Sequence, residues 1–309
     1  MKKALSFISY NLNGIRAGIR KGFLDWISAN DFDVIGIQET KAHKEQVDIS
    51  ALKDLGYYDY WFSATKKGYS GVSLFSKLEP DKVTRGMGVE KFDAEGRVIR
   101  ADFGNLTLLN CYFPSGTSGL VRQTAKYEFL AAMETFIKKL KEERLNIIVQ
   151  GDYNIAHTEN DIHNPKSNKK TSGFLPKERQ WLSRWFDEFG FVDSFRHQHP
   201  KETKYSWWSA RSKTARASNR GWRIDYQAVS LSLKDSILET DLLHDAVHSD
   251  HCPCYLKLAL WITAKAPDSG TALLIERKIS NSFRAVSKIL YKPKPISFRL
   301  MGGSHKFPL

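Results

Sequence analysis

The chain has 309 residues, with 47 Lys and Arg against 34 Asp and Glu, a formal charge of +13. A composition of 41% hydrophobic, 12% aromatic and 26% charged residues excludes a wholly disordered, collagenous or coiled-coil chain and leaves room for a large core. No apolar run reaches the ~18 residues of a membrane span, and MKKALSFISYNLNG turns polar too early for a secretory signal, so a cytoplasmic protein without membrane association is expected.

Runs rich in β-branched and apolar residues predict buried strands at 5–11 (LSFISYN), 33–39 (DVIGIQE), 71–76 (GVSLFS), 97–103 (RVIRADF) and 106–113 (LTLLNCYF). A helix follows at 123–144, where Tyr127, Leu130, Met133, Ile137 and Leu140 recur at three and four residues. Then come a strand at 146–152 (NIIVQGD), a helix at 177–189 behind Leu175-Pro176, and strands at 223–230 (RIDYQAVS) and 252–260 (CPCYLKLAL). Several strands succeed one another without an intervening helix, which makes the fold α/β with partly antiparallel pairing.

Two basic polar stretches, 163–172 and 207–223, read as surface loops. SYNLNG and GDYNIA both place a Tyr-Asn pair after a strand, too little to establish a duplication. Cys111, Cys252 and Cys254 are an odd set without zinc-ligand spacing and are expected to be buried core thiols. The regular pattern ends at Leu260, dividing the chain into a catalytic region 1–260 and a basic tail 261–309. Within the tail, 271–291 has a helical stripe of Ile275, Ile279, Phe283, Val286 and Leu290 beside Arg277, Lys278, Arg284 and Lys288, an amphipathic helix candidate; the rest is expected to be poorly ordered. The tail holds nine basic and two acidic residues, a net +7, which leaves +6 for 1–260. The basic excess points to an anionic partner, nucleic acid first.

The polar residues that could do chemistry stand at strand ends. Asn11 and Asn13 follow LSFISY, Glu39 follows DVIGIQ, and Asp152 with Asn154 follows NIIVQG. Asp225 lies in RIDYQAVS, and Asp250 with His251 precedes the last strand. Such carboxylate and amide oxygens suit a hard cation such as Mg²⁺, which needs only one or two carboxylates beside a substrate phosphate. A carboxylate such as Asp152, hydrogen-bonded by Asn154, can take a proton from water, and an Asp225–His251 pair would favour an imidazolium beside a phosphate.

The runs NLNGIRA (11–17), IQETK (37–41), GYSGVSLFSK (68–77), GRVIRADF (96–103), GDYNIAH (151–157), NPKSNKK (164–170), ERQWL (178–182), DSFRH (193–197), RGWRIDY (220–226) and SDHCP (249–253) closely resemble the exonuclease III family of AP endonucleases, in order and over about residues 3–260. The resemblance implies a four-layer sandwich of two packed mixed β-sheets flanked by helices. It also implies Mg²⁺-dependent hydrolysis 5′ to abasic sites in double-stranded DNA by a monomer, with Mn²⁺ as a substitute ion and, in some members, removal of nucleotides or blocks from 3′ ends. Asn11, Glu39 and Asp250 match the family's metal environment, and Asp152, Asn154 and His251 are counted with them as candidate metal-site residues. Asp152 with Asn154 matches its water-activating pair, His251 oriented by Asp225 its essential histidine, and Tyr112 its tyrosine near the scissile phosphate.

Asn164, Lys166, Asn168, Lys169 and Lys170 are expected at DNA phosphates, and Trp207, Trp222 and Ile224 resemble the pocket for the extrahelical abasic sugar. Two departures stand out: Asn13 replaces an Asp of animal members and is not counted as a ligand, and Ser118 replaces their groove-entering arginine, a role left in part to Arg122. The alternatives are a sister phosphodiesterase on undamaged nucleic acid and a non-cleaving DNA-binding repair scaffold.

Overall fold

A computed structural model describes residues 2–261. In chain order its strands are β1 (Lys2–Asn11), β2 (Val34–Gln38), β3 (Tyr58–Phe62), β4 (Val72–Ser76), β5 (Lys82–Arg85), β6 (Val98–Phe103), β7 (Leu106–Tyr112), β8 (Asn146–Asp152), β9 (Phe191–Asp193), β10 (Asp225–Ser230), β11 (Ile237–Leu242) and β12 (Cys254–Trp261). They form two six-stranded sheets, ordered β11-β12-β1-β2-β4-β3 and β5-β6-β7-β8-β10-β9. Each sheet has one parallel pair, β1–β2 and β7–β8, and antiparallel pairs elsewhere.

The eight strands expected from sequence are the eight interior ones. The four that sequence reasoning missed, β3, β5, β9 and β11, are the four sheet edges. Edge strands carry no continuous apolar run, because one side faces solvent: Lys82–Arg85 is exposed or half-buried throughout. The two sheets share a single topology, but one Tyr-Asn pair closes β1 and the other follows β8, and those strands occupy different places in it. Those short matches therefore mark no duplication.

Period-two alternation sorts each interior strand into a face between the sheets and a face beneath helices. Leu5, Phe7, Val34, Leu74, Ala101, Leu108, Ile148, Val229, Leu256 and Leu258 form the core between the sheets. Ile147, Val149, Leu109 and Ala228 point the other way, onto Leu130, Met133, Ile137 and Leu140 of helix Leu120–Glu143 and Trp181, Leu182 and Trp185 of helix Pro176–Asp187. Ile8, Tyr10, Ile35 and Phe75 pack on Phe23 and Ile27 of helix Phe23–Asn30. The order is helix, sheet, sheet, helix. All three cysteines are buried and free, as expected. The tail helix candidate at 271–291 lies outside the described residues, and among the described ones no helix is long and apolar enough to cross a membrane.

The inward positions change character along the strands. In the second sheet they stand in register as Leu108–Ile148–Val229, then Asn110–Gln150–Gln227, then Tyr112–Asp152–Asp225. The first sheet runs Phe7–Val34, Ser9–Gly36 and Asn11–Gln38. An apolar row thus gives way to an amide row and then to an acidic row at the sandwich end. The amides cross the gap: Gln150 donates to Ile8 O and Gln227 to Phe7 O, both at 3.1 Å, and Asn110 donates to Ile37 O at 3.0 Å and Ser73 O at 2.9 Å. Each satisfied amide ties the sheets together, and each broken one would leave a costly buried polar group.

Gly36 makes room for this row. A Cβ there would lie 2.2 Å from Gln150 Nε2 and 2.5 Å from Asn110 Oδ1. Gly36→Ala is therefore expected to lower unfolding free energy by about 1–3 kcal/mol, from overpacking together with lost amide bonds. Urea denaturation checks it; an unchanged midpoint would mean that the amides step aside without loss.

Candidate active site

The acidic row meets the loops that follow β1, β2 and β8. Asn11 is fully buried, and its Nδ2 donates to Glu39 Oε1 beside it in the same sheet at 2.9 Å and, across the gap, to Asp152 Oδ2 at 2.8 Å. Asp152 also accepts from Asn154, through the backbone N–H at 2.8 Å and through Nδ2 at 3.2 Å. The turns that present these groups adopt left-handed backbone: Asn13, Glu39, Lys41 and Asn154 have φ of 48°, 50°, 48° and 53°. Asn tolerates that region, but for Glu39 and Lys41 it is strained and must be imposed by neighbours. Bonds from Thr40 N to Gly71 O and from Lys41 N to Ser70 O do so, as does close contact between Gly71 and Thr40.

Opposite stands His251, whose Nδ1 lies 2.9 Å from Asp225 Oδ2. Ser206 fixes Asp225 with a hydroxyl bond of 2.6 Å, while Asp225 Oδ1 is buried without a partner among the described residues. Burial opposes the imidazolium, but Asp225, helped by Asp152 and Asp250, overcomes it and pushes the pKa of His251 up to about 10. His251 is cationic at neutral pH. Burial, then the charges of Asp225 and Glu39, raise the Asp152 carboxyl well above the usual carboxylate range. Burial opposes ionisation of Asp250 too, yet His251 and bonds from Asn13 and Trp207 keep its pKa low. Burial and Glu39 hold Tyr112 as a neutral phenol, and Arg97 lies 4.8 Å from its ring centroid.

A cleft of about 270 Å³ opens over the row. Glu39, Tyr112, Asp152, Asn154, Asp250 and His251 line it together with Trp207, Trp222 and Ile224, and Trp207 abuts Asp250 and His251. The two indoles meet edge to face, with centroids 6.1 Å apart. Asn11 and Asp225 lie beneath and act through the groups they hold. Asn13, set aside in the sequence, lines the cleft and donates to Asp250 at 3.1 Å. Ser115, Thr117, Thr171, Ser172 and Gly173, which sequence reasoning missed, complete the wall; the polar turns beside CYFP and NKK were the available signal.

Three expectations change. Arg122 is not a free arm: it donates to Glu95 at 3.0 Å and Tyr69 at 2.8 Å, in a neighbouring cleft of about 420 Å³. The Asn168 amide serves its own loop, donating to His163 O at 3.2 Å and Asn164 O at 3.0 Å, whereas Asn164, Lys166, Lys169 and Lys170 are exposed. Arg223, at the end of a stretch read as surface, is fully buried.

Donor atoms of Asp152, Asp225 and His251 lie within 4.8 Å of one another, dense enough to hold a cation. A proton between Asp225 and His251 already satisfies that pair, so the hard oxygens of Glu39 and Asp152, bridged by Asn11, offer the better seat. Burial does most to raise the proton affinity of Asp152, and the charges of Asp225 and Glu39 add to it; a divalent ion at Glu39 and Asp152 would offset those charges.

The model of the Endonuclease/Exonuclease/phosphatase family matches residues 8–251. An exodeoxyribonuclease of Bacillus subtilis is 45% identical over 254 residues, covering 82% of this chain and 98% of the relative. A DNA-(apurinic or apyrimidinic site) endonuclease of Dictyostelium discoideum is 37% identical over 253 residues, covering 81% and 69%. The solved structure of an AP endonuclease from Archaeoglobus fulgidus superposes with a TM-score of 0.75 at 27% identity, over 83% of this chain and all of that one. The chain belongs to the endonuclease/exonuclease/phosphatase family, among its exonuclease III-like AP endonucleases.

Proposed function

We propose that the chain hydrolyses the phosphodiester 5′ to an abasic site in double-stranded DNA, as a monomer, using Mg²⁺ or in its place Mn²⁺. The observation that carries this is the meeting in one cleft of Asp152 with Asn154, His251 with Asp225, and the Trp207–Trp222–Ile224 wall. Asp152, steadied by Asn11 and Asn154, takes a proton from the attacking water. The imidazolium of His251 and the phenol of Tyr112 present a charge and a donor to phosphate oxygens. Glu39 and Asp152, with Asn11 between them, would hold the cation, whose charge would offset that on the phosphoryl group. An abasic residue leaves the duplex with little stacking to lose, and the indole wall receives its bare sugar while obstructing a base. Asn164, Lys166, Lys169 and Lys170 supply phosphate contacts from the loop leading into Thr171.

The test is a duplex oligonucleotide with one abasic analogue. A single nick 5′ of the lesion is expected; equal cutting of intact duplex would point instead to a phosphodiesterase for undamaged nucleic acid. Chelation by EDTA should abolish nicking, and Mg²⁺ or Mn²⁺ should restore it; incision that survives chelation would remove the cation from the scheme. Residues 1–260 form the catalytic unit, so a chain ending at residue 260 should retain incision, and its loss would assign the tail a part in the reaction.

A further inference from the structure

A buried ion pair behind the cleft joins parts of the fold that the chemistry uses. Lys126, on helix Leu120–Glu143, and Glu178, in the first turn of helix Pro176–Asp187, have no exposed side-chain area, and Nζ lies 2.7 Å from Oε1. Apolar side chains of similar volume would hold two helices together at least as well, so a pair at this depth invites a reason other than stability. The second bond of Lys126 supplies one: Nζ donates to the backbone carbonyl of Asn154 at 2.8 Å. Asn154 stands at φ 53°, and its amide donates to Asp152 and, at 3.0 Å, to Phe113 O.

Glu178 carries the same frame to the 172–175 segment of the cleft wall. Its Oε2 accepts from Gly173 N at 2.7 Å and Leu175 N at 3.0 Å. Gln123 donates to Glu178 Oε1 at 2.9 Å and accepts from Ser172 Oγ at 2.6 Å. Gly173 abuts the indole wall: a Cβ there would come within 2.9 Å of Trp222 Cζ3.

We infer that Lys126 is a positioning residue: through the Asn154 carbonyl it fixes the Asn154 amide against Asp152, with Glu178 as the anchor shared with the cleft wall. This rests on the incision function for its kinetic arm. Lys126→Met removes the contact; Lys126→Met/Glu178→Gln removes it while leaving no unpaired buried charge. In both variants kcat on the abasic duplex should fall on the order of tenfold to a hundredfold, with KM within about twofold. The melting temperature should drop by several degrees in the single variant and recover in the double. Amide hydrogen exchange over residues 152–157 of the free protein should accelerate in both.

Recovery of kcat together with melting temperature in the double variant would overturn the inference, as would native exchange over 152–157. Exchange needs no substrate, so it still decides the matter if the parent chain leaves abasic DNA intact, a result that would instead sink the incision function.

Discussion

Asp152→Asn is expected to lower turnover on an abasic duplex by about 10²–10⁴-fold, the range for loss of a positioned base, while changing affinity for the same duplex by less than about tenfold. The carboxylate is buried beneath the cleft, and its oxygens face three donors: Asn154 N, Asn154 Nδ2 and Asn11 Nδ2. Asn keeps the volume and can still accept from Asn154 N. Its own amide must then face the other two donors, so both the base and the alignment of its partners are lost. The DNA contacts proposed for the loop and the indole wall lie outside this cluster and should be retained. Single-turnover kinetics and equilibrium binding separate the two quantities. Equal losses in both would make Asp152 a structural residue and leave the proton transfer without an acceptor.

Strand ends were legible because most interior strands, unlike the half-exposed β12, are buried on both faces, and those that reach the site end on polar residues. Asn11 and Asp152 stand two residues after an amide or hydroxyl that itself stands two after an apolar residue, and Asp225, at the start of its antiparallel strand, shows the same spacing in reverse. The alternation that marks a strand therefore also places its last inward side chain in the site. The edges β3, β5, β9 and β11 were not legible, since a half-exposed strand such as Lys82–Arg85 resembles a loop. Lys126 and Glu178 were hidden for another reason. They sit on helices whose apolar stripe was readable, but a charged residue there gives no sign that a partner 52 positions away neutralises it. Arg122 and Asn168 looked free in a basic sequence and are tied to neighbours that only the fold brings near.

Arg223→Met should cost about 3–5 kcal/mol at pH 7, as expected when one partner leaves a buried charge network. The guanidinium is fully buried, 2.7 Å from Asp161 Oδ1 and 3.1 and 2.7 Å from the two oxygens of Asp193; Arg196 also bonds Asp161. Burial works to raise the pKa of Asp161, but Arg223 and Arg196 outweigh it and hold the carboxyl well below the usual range. A depressed carboxylate stabilises the fold fully above its unfolded pKa, about 4, and that contribution fades as pH falls from there toward the folded value. The variant has less of it to lose. The gap between parent and variant in urea midpoint should thus be widest near pH 7 and narrow below about pH 4. A gap independent of pH would assign the loss to packing. Arg223 lies between Trp222 and Ile224, and its N–H bonds Asp161 O at 2.8 Å, so the same charges that stabilise the fold also seat the indole wall. Incision should weaken in the variant even at temperatures where it remains folded.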